Sequence, residues 1–103
     1  MEVKGATLEE DGVALFPDAP TQRGVKHLWE LVRCQEEGFR ACVLFVIQME
    51  GIRYFTPNRR THPEFAQALE GAAAQGVRVE AVDCHVTPSS LTPRAPVALR
   101  LNG

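Results

Sequence analysis

Apolar side chains follow two periods along the chain, and the change of period separates predicted strands from predicted helices. The run 41–47 is almost entirely apolar and rich in Val, Ile and Phe, which is typical of a central strand buried on both faces. Strands are also predicted at 2–9 and 13–17, because Asp11-Gly12 between them supplies the positive φ of a tight turn. The first two strands are therefore predicted to form a hairpin.

Two stretches carry apolar residues at helical spacing. The first begins at Thr21, a predicted N-cap, and should end near Gly38. Gly24 in its first turn lowers helix propensity, and a close approach to a neighbouring strand or ligand would explain it. The second covers roughly 62–75 and begins with a predicted capping box at 61–64. Two helices of this kind can cross over a sheet.

Two further strands complete the predicted order β-β-α-β-β-α-β. They lie at 52–55 and at 77–86, where the alternation slips at Val82 and predicts a bulge. Prolines limit the last segment, 97–101, to an edge strand. The predicted fold class is therefore α/β, a mixed sheet with two crossover helices. At this length, 1–103 is expected to be a single domain.

Composition narrows the class of protein. The chain is 45% hydrophobic and 23% charged, as in ordinary globular domains. A net charge of -2 and a pI of about 5.9 argue against strong phosphate binding, although a local basic patch remains compatible. The cysteines are odd in number, three, and include no C-x-x-C, which favours free thiols in a reducing compartment. With no signal peptide and no membrane-length apolar run, we expect a cytoplasmic protein without membrane contact.

Three polar residues near the first two predicted strands can carry metal or phosphate chemistry. Glu2 and Lys4 lie two residues apart, so both side chains project from one face of a strand. A carboxylate can ligate a divalent cation, and an adjacent ammonium can steady water or phosphate; the alternative is a solvated strand face. Asp18 ends the second strand, and a hairpin would bring it towards Glu2 as a second metal carboxylate. Its alternative role is to accept hydrogen bonds from loop amides.

The predicted first helix begins with cations. Arg23, Lys26 and His27 occupy its first two turns, where positive charge opposes the helix dipole. An anionic partner at that helix end, such as a nucleic-acid phosphate, would explain them. Pairing with Asp18 or Glu30 is a comparable alternative.

Further candidates lie on loops and strand ends. Gln48 ends the central strand, and ligands of open α/β sheets gather beyond such ends; a satisfied terminal amide is the alternative. Arg59 and Arg60 lie at the tip of a polar loop. They are candidates for phosphate contact or simply solvated side chains. The remaining histidines, and the cysteines, show no metal-ligand spacing.

The segments taken together resemble the sugar fermentation stimulation protein A family. The resemblance is carried by EVKGATL, FPDAPTQRGVKHLWEL, ACVLFVIQ, HPEFAQAL and GVRVEAVDCHV. It covers essentially the whole chain, but only the carboxyl-terminal part of a family member, without the family's amino-terminal OB-like domain. It implies a PD-(D/E)XK nuclease-like core truncated at the N-terminus, DNA binding, and a link to the regulation of sugar catabolism, usually of maltose.

The resemblance also assigns roles to residues. Glu2 and Lys4 match the (D/E)-x-K element, and Gln48 matches a polar residue of the next core strand; these three are the catalytic candidates. The family's nuclease site needs an aspartate on the preceding strand, which Asp18 cannot be because it follows the element. The catalytic motif is therefore expected to be incomplete, with Mg²⁺ or Mn²⁺ at Glu2 and Asp18.

The expected function is weak, non-specific DNA binding without cleavage in this form. A divalent-metal-dependent nuclease and a protein-interaction or small-ligand domain are the alternatives. A sheet that lacks upstream strands has an exposed edge, and exposed edges pair with other chains. We therefore predict a homodimer or a strand-swapped dimer.

Overall fold

Seven strands and two helices make up the computed structural model, which describes residues 1–101. The helices are α1 (Gln22–Glu36) and α2 (Pro63–Ala74). The strands are β1 (Glu2–Ala6), β2 (Leu8–Glu10), β3 (Val13–Phe16), β4 (Cys42–Ile47), β5 (Tyr54–Pro57), β6 (Arg78–Thr87) and β7 (Ser90–Pro96). The mixed α/β fold class is confirmed.

The strands form two sheets. The larger has the order β1-β4-β6-β7, in which β1, β4 and β6 are parallel and β7 is antiparallel to β6. The smaller has the order β2-β3-β5. The predicted strand 2–9 is therefore wrong, because the chain divides at Thr7. Residues before Thr7 pair with β4, whereas the Asp11-Gly12 turn closes a hairpin of only β2 and β3.

The main core lies between the larger sheet and both helices. Leu28 of α1 and Phe65 of α2 are fully buried there with Phe45 of β4. Burial alternates along β4, since its odd-numbered side chains are buried while Leu44 and Val46 remain partly exposed. The prediction that this strand is covered on both faces is wrong, because both helices pack on the same face.

The two helix starts illustrate one correct and one wrong prediction. The Thr21 hydroxyl accepts a hydrogen bond from the Gly24 amide at 3.0 Å, which confirms the N-cap of α1. The capping box of α2 is wrong, because Pro63 is the first helical residue and His62 becomes the N-cap. Nδ1 of the buried His62 accepts from the Thr21 amide at 3.2 Å, so the two helix starts are linked.

The carboxyl-terminal part follows its prediction at the bulge and departs from it in the position of the last strand. The register of β6 and β7 shifts between Val82 and Cys84, which confirms the predicted bulge. The segment 97–101, for which the prolines allowed an edge strand at most, forms only an isolated bridge at Leu99, and the edge strand β7 lies before it at Ser90–Pro96. An edge strand tolerates proline because its outward amides need no partner. Neither helix of the described residues is long and apolar enough to cross a membrane.

Candidate functional site

Three polar side chains converge between β1 and α1. Lys4 Nζ lies 2.9 Å from His27 Nδ1 and 3.4 Å from Glu2 Oε1. His27 Nδ1 lies 3.3 Å from the same Glu2 oxygen. We name Glu2, Lys4 and His27 the β1–α1 cluster. Its most enclosed member is Lys4, whose side chain is only 14% exposed.

Strand periodicity and helix packing together produce the β1–α1 cluster. Glu2 and Lys4 stand opposite Val43 and Phe45 in the parallel register, so they lie on the face that the helices cover. Buried Leu28 holds α1 against this face, and its neighbour His27 therefore reaches Lys4. The shared face of Glu2 and Lys4 follows from a period of two, as the sequence predicted.

The donor and acceptor roles within the cluster follow from side-chain chemistry. An ammonium can only donate, so Nδ1 of His27 is the acceptor in its contact with Lys4. Lys4 also donates towards the Glu2 carboxylate. Glu2 and Lys4 thus bring one negative and one positive charge close together.

Gln48 lies on the other side of the sheet from the β1–α1 cluster. A Cβ built on Gly5 would come within 2.8 Å of Gln48 Nε2. Gly5 alternates with Lys4 along β1, so its Cβ direction points away from the helices. The structure therefore places Gln48 on the opposite face of the sheet from the other two catalytic candidates, Glu2 and Lys4. Its catalytic role stays a prediction.

Asp18 was expected near Glu2 because of the predicted hairpin. In the structure β1 pairs with β4, and only β2 forms the hairpin with β3, so that argument no longer applies. Asp18 is exposed in the connection between β3 and α1. Within residues 1–101, no three Asp, Glu, His or Cys side chains are grouped so that they could hold a metal ion. The role of Asp18 as a ligand stays a prediction.

The basic candidates fall into two groups. Arg59 bonds to Glu70 and to the Leu101 carbonyl, while Arg60 bonds to Glu10 at 2.7 and 3.0 Å. These loop arginines are therefore held by groups of the protein itself. Their predicted role in nucleic-acid binding has no support from this arrangement.

The cations at the start of α1 are arranged differently. Arg23 and Lys26 are exposed, and neither forms an ion pair in the described part of the chain. Their suggested partners Asp18 and Glu30 therefore do not neutralise them. Both cations remain available to an anion, and their role in nucleic-acid binding stays a prediction.

Sequence reasoning missed an ion pair whose carboxylate is buried. Asp83 on β6 is 2% exposed; it accepts hydrogen bonds from the Arg94 guanidinium and from the Ala95 amide. The hydrogen bond from Arg94 is the main reason that the pKa of Asp83 lies below its usual value. Asp83 follows Val82, where the bulge was predicted, and that irregularity was the available signal. The pair fastens β7 to β6.

One apolar residue of α1 departs from the burial of its helix. Trp29 falls at helical spacing in the apolar stripe of Val25, Leu28 and Val32, yet it is 46% exposed. It lies at the border of that stripe, with Lys26 three residues before it and Arg33 four residues after it. Those flanking cations were the signal in the sequence.

The fold and the β1–α1 cluster define a nuclease-like α/β domain, in which a Glu-x-Lys strand lies beside the first crossover helix. Residues 1–90 match the family model described as the sugar fermentation stimulation protein RE domain, SfsA. This chain belongs to that family.

Individual relatives agree with this assignment. A sugar fermentation stimulation protein homolog of Desulfitobacterium hafniense strain Y51 is 55% identical over 101 residues, covering 98% of this chain and 44% of that protein. The homolog of Caldanaerobacter subterraneus subsp. tengcongensis is 59% identical over 86 residues, covering 84% of this chain and 38% of that protein. The chain thus spans less than half the length of these relatives.

A solved structure agrees on the fold. Pyrococcus furiosus SfsA, determined in complex with Ca²⁺, superimposes with a TM-score of 0.89 at 30% sequence identity. The match covers 96% of this chain and 43% of that chain. The nuclease-like α/β core is therefore shared with this relative.

Proposed function

We propose that this chain binds nucleic-acid phosphates at the β1–α1 cluster, with a divalent cation held by Glu2. The observation that carries the proposal is the convergence of a carboxylate, an ammonium and an imidazole within 3.4 Å beside the start of α1. The related Pyrococcus furiosus protein, whose structure contains Ca²⁺, supports a cation in this fold.

The residues present fit a cation that is shared with its ligand. Mg²⁺ is commonly held by one or two carboxylates together with substrate phosphates and water. Glu2 supplies one carboxylate, and its side chain is 34% exposed, so a phosphate can approach. The cation would polarise a phosphoryl oxygen. Because the charge of Glu2 offsets that of Lys4, a phosphate gains little attraction there unless a cation is bound.

Each of the other two side chains has a separate task. Lys4 is enclosed and held between Glu2 and His27, so its ammonium is a positioned donor for a phosphate oxygen. His27 accepts from Lys4 and orients it. Arg23 and Lys26 add exposed positive charge nearby on α1. With so few cations, we propose weak, non-specific binding whose affinity falls only gradually as salt is raised.

Fluorescence anisotropy of a labelled DNA duplex tests the proposal. The wild type should bind more tightly when Mg²⁺ or Mn²⁺ is added, and log affinity should fall linearly with log salt. Glu2→Gln should lose the response to the cation. Glu80→Gln is the matched control, because Glu80 stands opposite Leu44 on the face away from the helices. Absent binding at low salt, or an unchanged cation response in Glu2→Gln, would overturn the proposal.

Phosphodiester cleavage is the second candidate, favoured by the 3.4 Å approach of Lys4 Nζ to Glu2 Oε1. Nicking of supercoiled plasmid in Mn²⁺ tests it, with Glu2→Gln and Lys4→Met as the variants. Nicking that survives in both variants would exclude the β1–α1 cluster as its source. A role in the regulation of sugar catabolism is supported by the name of the family alone.

A further inference from the structure

The exposed face of α1 carries a groove outside the β1–α1 cluster. We name it the Trp29 groove; its volume is about 330 Å³, and it is lined by Gln22, Val25, Lys26, Trp29, Glu30 and Arg33. Trp29 is 46% exposed, although one edge of its ring rests on α2. A Cβ built on Gly71 would lie 3.3 Å from Trp29 Cη2, so the helices approach closely at this point. The ring is thus a supported, solvent-facing aromatic surface.

Positive charge flanks this ring on both sides along the helix. Lys26 and Arg33 lie three residues before and four residues after Trp29, which are neighbouring positions on a helix surface. Within residues 1–101, neither cation forms an ion pair, even though Glu30 lies within one turn of both. An aromatic platform between two unneutralised cations suits a ligand with a planar ring and flanking phosphates.

We infer that the Trp29 groove binds single-stranded nucleic acid, with one base stacked on Trp29 and phosphates held by Lys26 and Arg33. A duplex keeps its bases stacked on one another, so it cannot offer a base face to the ring without unstacking. Lys26 of the groove and His27 of the β1–α1 cluster are consecutive residues of α1, so both sites lie on the same helix. The inference rests on the proposed function for its class of ligand, which is nucleic acid. It adds that this nucleic acid is single-stranded and that Trp29 is the residue on which a base stacks.

Intrinsic fluorescence tests stacking directly, since Trp29 is the only tryptophan of the chain. Single-stranded oligothymidine should quench it with saturation. A phosphodiester of equal length without bases should quench little, and a duplex should quench less than the single strand. A poly-glutamate peptide is the probe for an acidic-peptide site instead. Saturation by the peptide with equal affinity would overturn the inference.

Variants measured by anisotropy with labelled oligothymidine provide the second readout. Trp29→Leu should weaken binding about 5- to 150-fold, the range for loss of one stacked base. Trp29→Phe should restore part of that loss. The control Phe39→Leu removes another exposed aromatic, 66% exposed and outside the groove, and should bind as the wild type does. Lys26→Gln and Arg33→Gln should each reduce the salt dependence, whereas Arg40→Gln should not.

The outcomes separate this inference from the proposed function. If Phe39→Leu weakens binding as much as Trp29→Leu, or duplex binds as tightly as single strand without quenching, the Trp29 groove is not a stacking site. Such a result leaves a cation effect at Glu2 intact. The converse result is that the Glu2→Gln variant shows saturable quenching by oligothymidine and an unchanged response to the cation. That result would support the Trp29 groove as a binding site and would overturn the proposal that Glu2 holds a cation.

Discussion

Replacing Gly24 with alanine tests how closely α1 approaches α2. Helix propensity alone predicts a gain, because alanine is about 1 kcal/mol better than glycine inside a helix. The structure predicts the opposite. A Cβ at position 24 would lie 2.9 Å from Thr21 Cγ2, 3.2 Å from Thr21 Oγ1 and 3.2 Å from Phe65 Cε2. The first distance is too short for carbon atoms and the third is tighter than an ordinary contact, so both Thr21 and Phe65 must give way.

Both neighbours of position 24 are costly to displace. Thr21 caps α1 through the Gly24 amide, and loss of such a cap costs about 1 kcal/mol. Phe65 is fully buried, and forcing extra atoms into a packed core costs about 1–3 kcal/mol. After the gain in propensity is subtracted, Gly24→Ala should be about 1–3 kcal/mol less stable than the wild type. The melting temperature should fall by roughly 4–8 °C for each kcal/mol.

Gly71→Ala is the matched control for this prediction. Its Cβ would meet only Trp29, at 3.3 and 3.7 Å, and that half-exposed ring can shift outwards. We therefore expect Gly71→Ala to lie between neutral and about 1 kcal/mol more stable. Urea unfolding followed by circular dichroism measures both variants. If Gly24→Ala proves as stable as Gly71→Ala, the close approach of the helices at Gly24 is refuted.

Two further predictions concern the β6–β7 hairpin. The lowered pKa of Asp83 means that its pair with Arg94 stabilises the fold above about pH 4, and this contribution is lost as the pH falls through the lowered pKa. Asp83→Asn should therefore cost on the order of 1 kcal/mol at neutral pH and progressively less in acid; a urea-unfolding difference that is constant with pH contradicts this. Burial raises the pKa of the Cys84 thiol, so iodoacetamide should modify exposed Cys34 first and Cys84 only after unfolding, and mass spectrometry showing equal rates contradicts this.

Local signals in the sequence predicted local structure correctly. The Thr21 cap, the Asp11-Gly12 turn and the stop at Gly38 each depend on a few neighbouring residues, and all three are present. The capping box of α2 failed because a second local signal competed with it. Pro63 has no backbone N–H and favours the first helical position. The helix therefore begins after His62 and leaves Thr61 outside.

Long-range pairing could not be predicted in the same way. Nothing in 2–9 marks Thr7 as the point where the chain passes from one sheet to another, because strand propensity is similar on both sides. The uniformly apolar run 41–47 also hides which of its side chains face the helices. The face on which Gln48 lies depends on which residues of this run point towards the helices. Only the pairing of β4 with β1 shows that Gln48 and the Glu2–Lys4 pair lie on opposite faces. The predicted dimer stays untested, although β1 does lie at an edge of its sheet.

Strand periodicity predicted one part of the site, the shared face of Glu2 and Lys4, but not the contact with α1. A spacing of two places Glu2 and Lys4 on one face whatever they pair with. The contact of His27 with Lys4 depends on how α1 lies across the sheet, which the helical pattern alone does not determine. His27 was therefore recognised as a candidate for nucleic-acid binding, while its contact with the catalytic lysine candidate was missed.

The charge distribution of the two helices connects the cluster with the Trp29 groove. The first turn of α2 contains Glu64, as the helix dipole favours. The first turn of α1 contains no acid. Its first two turns contain Arg23 and Lys26, which form no ion pair within residues 1–101. The unfavourable arrangement thus occurs on the helix that bears His27 and Trp29. Departures from local preference concentrate where function sets the sequence, so we propose that an anionic ligand, and not the stability of the fold, accounts for the cations of α1.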